Sequence, residues 1–215
     1  RRVLLVSAGN FFLEKLLAAD QGVTFELTAP DGYRRDIAAK FAVVVFDKTG
    51  TLTQNEMTVR KIFANGKIFD ISGTGYAPDG NFTINGMPLS EIDQRIVKFF
   101  LGIGALCNNA HLKKDHNTWK VIGDLTEGAI LTAAAKANIR KEVLWKKFPL
   151  LSEIPFDSER KKMATVRKTP HSVLLVCEKG AADVIVKDCT RIYMGGELRD
   201  LSEEDIRNIL NENNK

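Results

Sequence analysis

Apolar and polar positions follow two different rhythms along this chain. Toward the start, apolar residues fall in short dense runs at residues 3–6, 23–27 and 41–46, with a helical spacing over residues 11–19. These read as strand, strand, strand and amphipathic helix, an α/β unit. The run Phe41-Ala42-Val43-Val44-Val45-Phe46 is apolar on both faces, as in a strand buried within a largely parallel sheet. Ligands of such sheets sit at the carboxyl ends of the strands, where Asp47 stands.

From about residue 57 the rhythm changes. Short strands at residues 58–64 and 67–71 flank Asn65-Gly66, a dipeptide suited to a two-residue hairpin turn with positive φ. Residues 72–88 read as loop with at most a short hairpin. Ser90 then caps a long helix whose apolar face carries Ile92, Ile96, Val97, Phe100 and Ile103, ending near Cys107-Asn108-Asn109. An alanine-rich helix follows over residues 125–138, then strands over 163–167 and 172–177 around a turn containing Pro170. Gly195-Gly196 marks another hairpin, and Ser202 with Asp205 marks a helix start. The predicted fold class is α/β in two parts. Residues 1–56 form a small parallel α/β segment, and residues 57–215 form an α+β domain with an antiparallel sheet flanked by helices.

Composition narrows the function classes. With 44% hydrophobic and 27% charged residues among 215, the chain has an ordinary globular make-up. Its 31 basic and 27 acidic residues are intermixed and leave a net charge of only +4, so nucleic acid is not an expected partner. The cysteines Cys107, Cys177 and Cys189 lie far apart without a C-x-x-C pair, which suggests neither a disulfide framework nor a zinc site. No run approaches the ~20 apolar residues of a membrane helix, so direct membrane insertion by this chain is not expected.

The candidate chemistry begins at Asp47. A carboxylate that attacks a phosphoryl group needs a charge-neutralising metal and donors around the phosphate oxygens. Lys48 adds positive charge, Gly50 lets backbone approach, and Thr49, Thr51 and Thr53 supply donors. Mg2+, with its preference for oxygen ligands, suits such a strand end. Alternatively, Asp47 caps a turn and the threonines satisfy local backbone.

Downstream, Phe156 follows a proline and precedes a charged run, an odd place for a core aromatic; it either offers its ring to a base or packs inside. Lys161 and Lys179 can meet phosphates with mobile ammonium groups, and Gly180 would let backbone come close. Glu127 stands in a capping-box spacing after Asp124, which needs no ligand. Asn108-Asn109 reads as a helix end, His111, His116 and His171 lack metal-ligand spacing, and Trp119 and Trp145 read as packing residues.

The string Asp47-Lys48-Thr49-Gly50-Thr51-Leu52-Thr53, continued by Gln54-Asn55-Glu56-Met57-Thr58, closely resembles the phosphorylation motif of P-type cation-transporting ATPases. Four more strings resemble the nucleotide-binding domain of that family's calcium-pump-like branch. They are Cys107-Asn108-Asn109-Ala110, Gly123-Asp124-Leu125-Thr126-Glu127-Gly128-Ala129, Pro155-Phe156-Asp157-Ser158-Glu159-Arg160-Lys161-Lys162-Met163 and Lys179-Gly180-Ala181-Ala182-Asp183. The resemblance implies a haloacid dehalogenase-like segment, incomplete here, that carries Asp47 as phosphate acceptor beside Lys48 and Thr49. It further implies ATP and Mg2+ as cofactors, with Mg2+ at Asp47 and Thr49. Glu127 would lie near the adenine amino group, and Phe156, Lys161, Lys179 and Gly180 would hold the nucleotide. The implied partners are the actuator and transmembrane domains of a parent pump, and the implied location is the cytoplasmic side of a membrane protein.

Thr49 stands where phosphatases of the wider superfamily carry a second acid, a loss that should prolong an aspartyl phosphate. Residues 1–42 do not resemble the segment that normally precedes this motif, and the family's later Mg2+-binding aspartates do not occur in the chain. The nucleotide-binding domain is expected to be truncated at its C-terminus. The chain is therefore expected to bind ATP but turn it over poorly. The competing expectations are a non-catalytic nucleotide-binding module and, further off, a free-standing phosphatase.

Overall fold

A computed structural model describes the backbone of residues 7–8, 40–41, 45–48, 56–170, 174–194 and 197–214, with side chains for residues 56–170, 174–194 and 198–214. The strands expected at residues 3–6 and 23–27 and the helix at 11–19 lie outside the described residues. So do Thr49 and the hydroxyl-rich turn up to Thr53.

Two short strands, β1 (Ser7–Ala8) and β2 (Lys40–Phe41), pair antiparallel. A five-stranded antiparallel sheet runs in chain order: β3 (Val45–Lys48), β4 (Val59–Ala64), β5 (Lys67–Ile71), β6 (Phe82–Ile84) and β7 (Met87–Pro88). Its hairpins turn at Asn65-Gly66, with φ of 52° and 70°, and at Asn85-Gly86, with φ of 51° and 78°. Asparagine and glycine tolerate this left-handed backbone, which matches the twist of the flanking strands.

The described pairing of the strand at Asp47 is antiparallel, and the rest of the expected parallel segment lies outside the described residues. Among the described strands β3 is the outermost of this sheet, and it pairs antiparallel with β4, Val45 opposite Ile62 and Lys48 opposite Val59. Residues 49–58 are fewer than the dozen or so that a parallel crossover takes, so the returning strand runs the other way. Asp47 lies within β3 rather than beyond its end.

Helix α1 (Glu91–Leu106) starts as predicted, with Ser90 accepting the Asp93 N–H at 3.2 Å. Asp93 is buried there and takes the Lys67 ammonium at 2.7 Å. Inward placement of Asp93 turns its neighbour Ile92 to solvent, 67% exposed, so the apolar face begins with Ile96, which packs against the core, and continues through the buried Val97, Phe100 and Ile103.

A hairpin of β8 (His111–Asp115) and β9 (Thr118–Ile122) follows, then α2 (Leu125–Lys136) and the short α3 (Lys141–Lys147). The second large sheet orders β10 (Leu150–Asp157), β11 (Lys162–Lys168) and β12 (Leu174–Gly180), all antiparallel. Helix α4 (Ala182–Ile185), the hairpin β13 (Arg191–Met194) and β14 (Glu197–Asp200), and α5 (Glu203–Asn214) complete the described chain.

α1 packs against α2, α3, β4 and β12, so the helices lie between the two large sheets. One core joins Ile62 and Phe69 from the first sheet, Leu101 and Ile103 from α1, Ile130 from α2, and Met163, Leu175 and Cys177 from the second. A smaller cluster gathers Ile185, Val186, Ile192 and Ile209 under α5.

The C-terminus of α1 has neither a glycine cap nor a basic residue in its last turn. Instead β11 caps it from across the core. Arg167 Nε and Thr165 Oγ1 both donate to the Leu106 carbonyl, at 2.8 and 3.1 Å. Arg167 is wholly buried and gives a second hydrogen bond to the Phe148 carbonyl, 3.1 Å away. A cation at this end of a helix interacts favourably with the macrodipole.

Two outcomes follow from this packing. A Cβ at Gly128 would fall 2.4 Å from both methyls of Val121, a stiff branched side chain. Gly128→Ala should therefore destabilise by about 1–2 kcal/mol despite alanine's better helix propensity. Urea unfolding reads the loss, and Val121→Ala in the same chain should recover most of it.

The second concerns Asp205, which accepts hydrogen bonds from Arg199 Nη1 and Nη2, at 2.6 and 2.7 Å, and from the Ser202 N–H at 2.9 Å. The Arg199 hydrogen bonds, foremost, hold its carboxyl well below the usual carboxylate range. A depressed carboxyl stabilises the fold above its unfolded value of about 4 and loses that contribution as pH falls below it. Asp205→Asn should thus destabilise at neutral pH, and its deficit against wild type should shrink on acidification, as followed by thermal unfolding.

Candidate functional site

Glu127 lies in the first turn of α2, where Asp124 caps the helix by accepting the Glu127 N–H at 3.0 Å. Only that half of the predicted capping box forms. The Glu127 carboxylate turns away from the cap and is taken up by three other groups. Its Oε2 accepts the N–H groups of Asn109 and Ala110, at 2.9 and 3.0 Å, and its Oε1 receives the Lys179 ammonium. Both charged side chains are largely withdrawn from solvent, 12% and 9% exposed.

The peptide segment that grips Glu127 is itself fixed. Asn108 is wholly buried; its amide donates to the Glu127 backbone carbonyl at 2.9 Å, and its Oδ1 accepts the Ala110 N–H at 3.0 Å. Asn109 donates to Glu153 on β10 at 2.6 Å. The helix ends just before Asn108-Asn109, as predicted, but neither asparagine adopts the left-handed backbone expected there; together they bridge α2 and β10. A buried asparagine between Leu106-Cys107 and Ala110 was the available signal, since an amide enclosed by apolar neighbours needs internal partners.

Phe156 lies on β10, an edge strand, and leaves 60% of its surface exposed. It is not a core residue. The turn after it is shaped by Asp157, whose Oδ1 accepts the N–H groups of Glu159 and Arg160 at 2.9 and 2.8 Å. These bonds, the one from Arg160 foremost, lower the Asp157 carboxyl below its ordinary range.

The turn ends at Lys161, which is exposed and held at φ 53°. Its carbonyl accepts the Ala181 N–H at 2.9 Å, so this turn folds back over the end of β12. Gly180 makes that approach possible: a Cβ there would fall 2.5 Å from the Lys161 carbonyl oxygen. The room predicted for a phosphate at Gly180 is filled by the chain's own backbone. Across β11 and β12, Lys179 stands opposite Met163, on the face that meets α1 and Glu127.

Lys179 is therefore paired with Glu127 in this structure, whereas Lys161 is exposed. Lys162 pairs with Glu178 at 3.1 Å and with Asp188, on the opposite face of the sheet. Arg160 donates to the Pro155 carbonyl at 2.8 Å. Among the described residues the structure thus brings Glu127 and Lys179 together and sets Lys161 and Gly180 directly beside them, with Phe156 at the start of the same turn. It does not describe the side chains of Asp47 and Lys48, or any part of Thr49.

Metal-ligating side chains do not cluster in threes among the described residues. Cys107 and Cys177 are buried and free, and burial pushes the Cys107 thiol up to about 11 and the Cys177 thiol higher still. A groove of about 700 Å³ lies elsewhere, between the Gly66 turn, Met194 and α5, and contains none of the predicted site residues. No helix among the described residues is long and apolar enough to cross a membrane.

Comparison with known proteins agrees with this layout. Residues 97–215 match the family model of the P-type ATPase cytoplasmic domain N. The calcium-transporting ATPase of Bacillus subtilis is 38% identical over 163 residues, covering 76% of this chain and 18% of that protein. The probable cation-transporting ATPase F of Mycobacterium tuberculosis is 40% identical over 163 residues, covering 74% of this chain and 18% of its own length. The calcium-transporting ATPase type 2C member 1 of Bos taurus is 34% identical over 166 residues, or 75% of this chain and 17% of the relative. The chain spans less than a fifth of the length of these relatives. Because the family match takes in the C-terminal part of α1, the Glu127 junction, β12 with Lys179 and its neighbour β11, and the exposed Phe156, the chain belongs to the P-type ATPase family and carries its cytoplasmic domain N.

Proposed function

We propose that this chain binds ATP on the face formed by Phe156, Lys161, Lys179 and Glu127, as the nucleotide-holding part of an ATP-driven cation pump, and that Asp47 accepts the phosphoryl group. The observation that carries the binding role is the exposed Phe156 ring beside a turn that points Lys161 outward next to the Glu127–Lys179 pair. An aromatic face left in water at the edge of an ordered sheet suits a stacking base.

Glu127 supports the base assignment by its remaining capacity. A carboxylate offers about four acceptor positions, and three donors occupy it here, which leaves one for an exocyclic amine. Lys179 serves two roles in this reading. In the free domain it neutralises Glu127, and with nucleotide present its ammonium is shared with the phosphates. Lys161, exposed and without a carboxylate partner among the described residues, supplies the outer positive charge. Gly180 acts indirectly, by letting the Lys161 turn lie close against β12.

The name of the Bacillus subtilis relative supports calcium as the transported ion, and the remaining domains of the parent pump are the proposed partners. Mg2+ bound with ATP would neutralise phosphate charge, and Asp47 with Thr49 are the residues proposed to hold it during transfer. Lys48, beside the acceptor, adds positive charge for the incoming phosphoryl group.

Isothermal titration of the chain with ATP tests the binding face. Phe156→Ala should weaken ATP binding about tenfold while leaving thermal stability near wild type, because the ring is exposed. Unchanged affinity would remove Phe156 from the site. Lys179→Met should lower both affinity and stability, since it strands a largely buried Glu127 charge; adding Glu127→Gln should restore stability but not affinity.

The acceptor role has its own experiment. Brief incubation with labelled ATP and Mg2+ followed by acid quenching should leave label on the chain, and Asp47→Asn should abolish it. Label that survives in Asp47→Asn would place the acceptor elsewhere.

A further inference from the structure

Lys141 has no part in the reading above, yet it is built into the wall behind Glu127. It opens α3 and is 6% exposed. Its Nζ donates to the Ala110 carbonyl at 2.6 Å and lies 4.2 Å from the centre of the Trp145 ring. Among the described residues it forms no salt bridge, so a buried ammonium is spent on one backbone carbonyl and one indole face.

Ala110 is held from three sides. Its N–H is shared by Glu127 and Asn108, its carbonyl is held by Lys141, and a Cβ built on Gly123 would fall 3.0 Å from its Cα. Trp145 is anchored in turn, donating its Nε1–H to the Ala105 carbonyl at 3.3 Å and facing the Arg167 guanidinium at 4.4 Å. The segment that orients Glu127 is thus tied through Lys141 to α3 and to the capped end of α1.

We propose that Lys141 is a positioning residue of the nucleotide face, which holds the Ala110 carbonyl and thereby fixes the two N–H groups that aim the Glu127 carboxylate; this rests on the nucleotide reading.

The surroundings of Lys141 give the role a pH signature. Glu127 on α2 and Glu142 on α3 favour its charge, while Arg167 on β11 and Lys179 on β12 oppose it. His111 on β8 meets the edge of the Trp145 ring. Cys107 and Cys177, which act on Arg167 nearby, are kept as neutral thiols by burial. Burial outweighs the favourable charges and pulls the Lys141 amine down to about 8. The ammonium form, which donates strongly to Ala110, therefore persists below about pH 8 and is lost above it. Its loss also removes a positive charge from behind Glu127.

The experiment uses the full chain and reads two quantities from neutral to mildly alkaline pH: the amide resonances of Asn109 and Ala110, and ATP affinity by calorimetry. In wild type the two amides should shift together with a midpoint near 8, and ATP affinity should fall about fivefold across it. Lys141→Arg, which stays charged, should keep near-wild-type affinity at neutral pH and lose the step. Lys141→Met should bind ATP weakly throughout, again without a step.

Amides that stay flat through this range, or a step that persists in Lys141→Arg, would overturn the proposal, and both readings survive a methionine variant that fails to fold. Failure of wild type to bind ATP at neutral pH would overturn the nucleotide reading instead. The amide titration would then still decide whether Lys141 holds Ala110.

Discussion

The architecture turns on the burial of the C-terminal end of α1. A helix end carries carbonyls without intrahelical partners, and here they point into the protein interior. Thr165, Arg167 and Trp145 satisfy those of Leu106 and Ala105, and the Arg167 charge offsets the helix dipole within the interior. Because these donors come from β11 and α3, satisfying the helix end brings the second sheet onto the helices. The next residues along the chain, Asn108 to Ala110, leave the helix at this fixed point. They therefore arrive beside α2 in a position to receive the Glu127 carboxylate.

That junction explains how a pocket of opposite charges is kept in order. An isolated buried carboxylate is costly, and a buried ion pair alone seldom recovers the desolvation of its members. Glu127 is stabilised by two backbone N–H groups as well as by Lys179, so its orientation does not depend on the ion pair alone. In the proposed function this leaves Lys179 able to shift toward phosphate without freeing Glu127. Preorganised donors of this kind lower the cost of ordering the site when ligand arrives.

Local chemistry was legible in the sequence and long-range closure was not. Asn65-Gly66 and the Ser90 cap read directly because each solves a backbone problem within a few residues. The hairpin at residues 111–122 carries no such local signal, since Lys113, Lys114 and Lys120 give its strands little apolar alternation and its turn uses His116 at φ 53°. Helix α3 is short and its Arg140 cap makes no side-chain hydrogen bond, so nothing local announces it. The apolar run before Asp47 reads as interior, and its described part is outermost among the described strands of its sheet. In the candidate site, motif strings point to Phe156, Lys161, Lys179, Glu127 and Gly180, and the structure adds that Gly180 admits the chain's own backbone. The contacts that bind them, from Glu127 to Ala110 and from Lys141 to Ala110, join residues 17 and 31 positions apart and depend on how the helices stack.

The left-handed backbone of Lys161 shows where stability and function part company. An L-residue with a long side chain pays roughly 1–2 kcal/mol in that conformation, whereas glycine or asparagine would fit the same turn with little strain. The turn does not need a lysine for its shape, since Asp157 and the Ala181 N–H already hold it. Selection for folding alone would favour a smaller residue there. A lysine at 161 therefore marks a position where thermostabilising replacement and retention of the charged side chain are opposed, and a chain optimised only for robustness would be expected to lose it first.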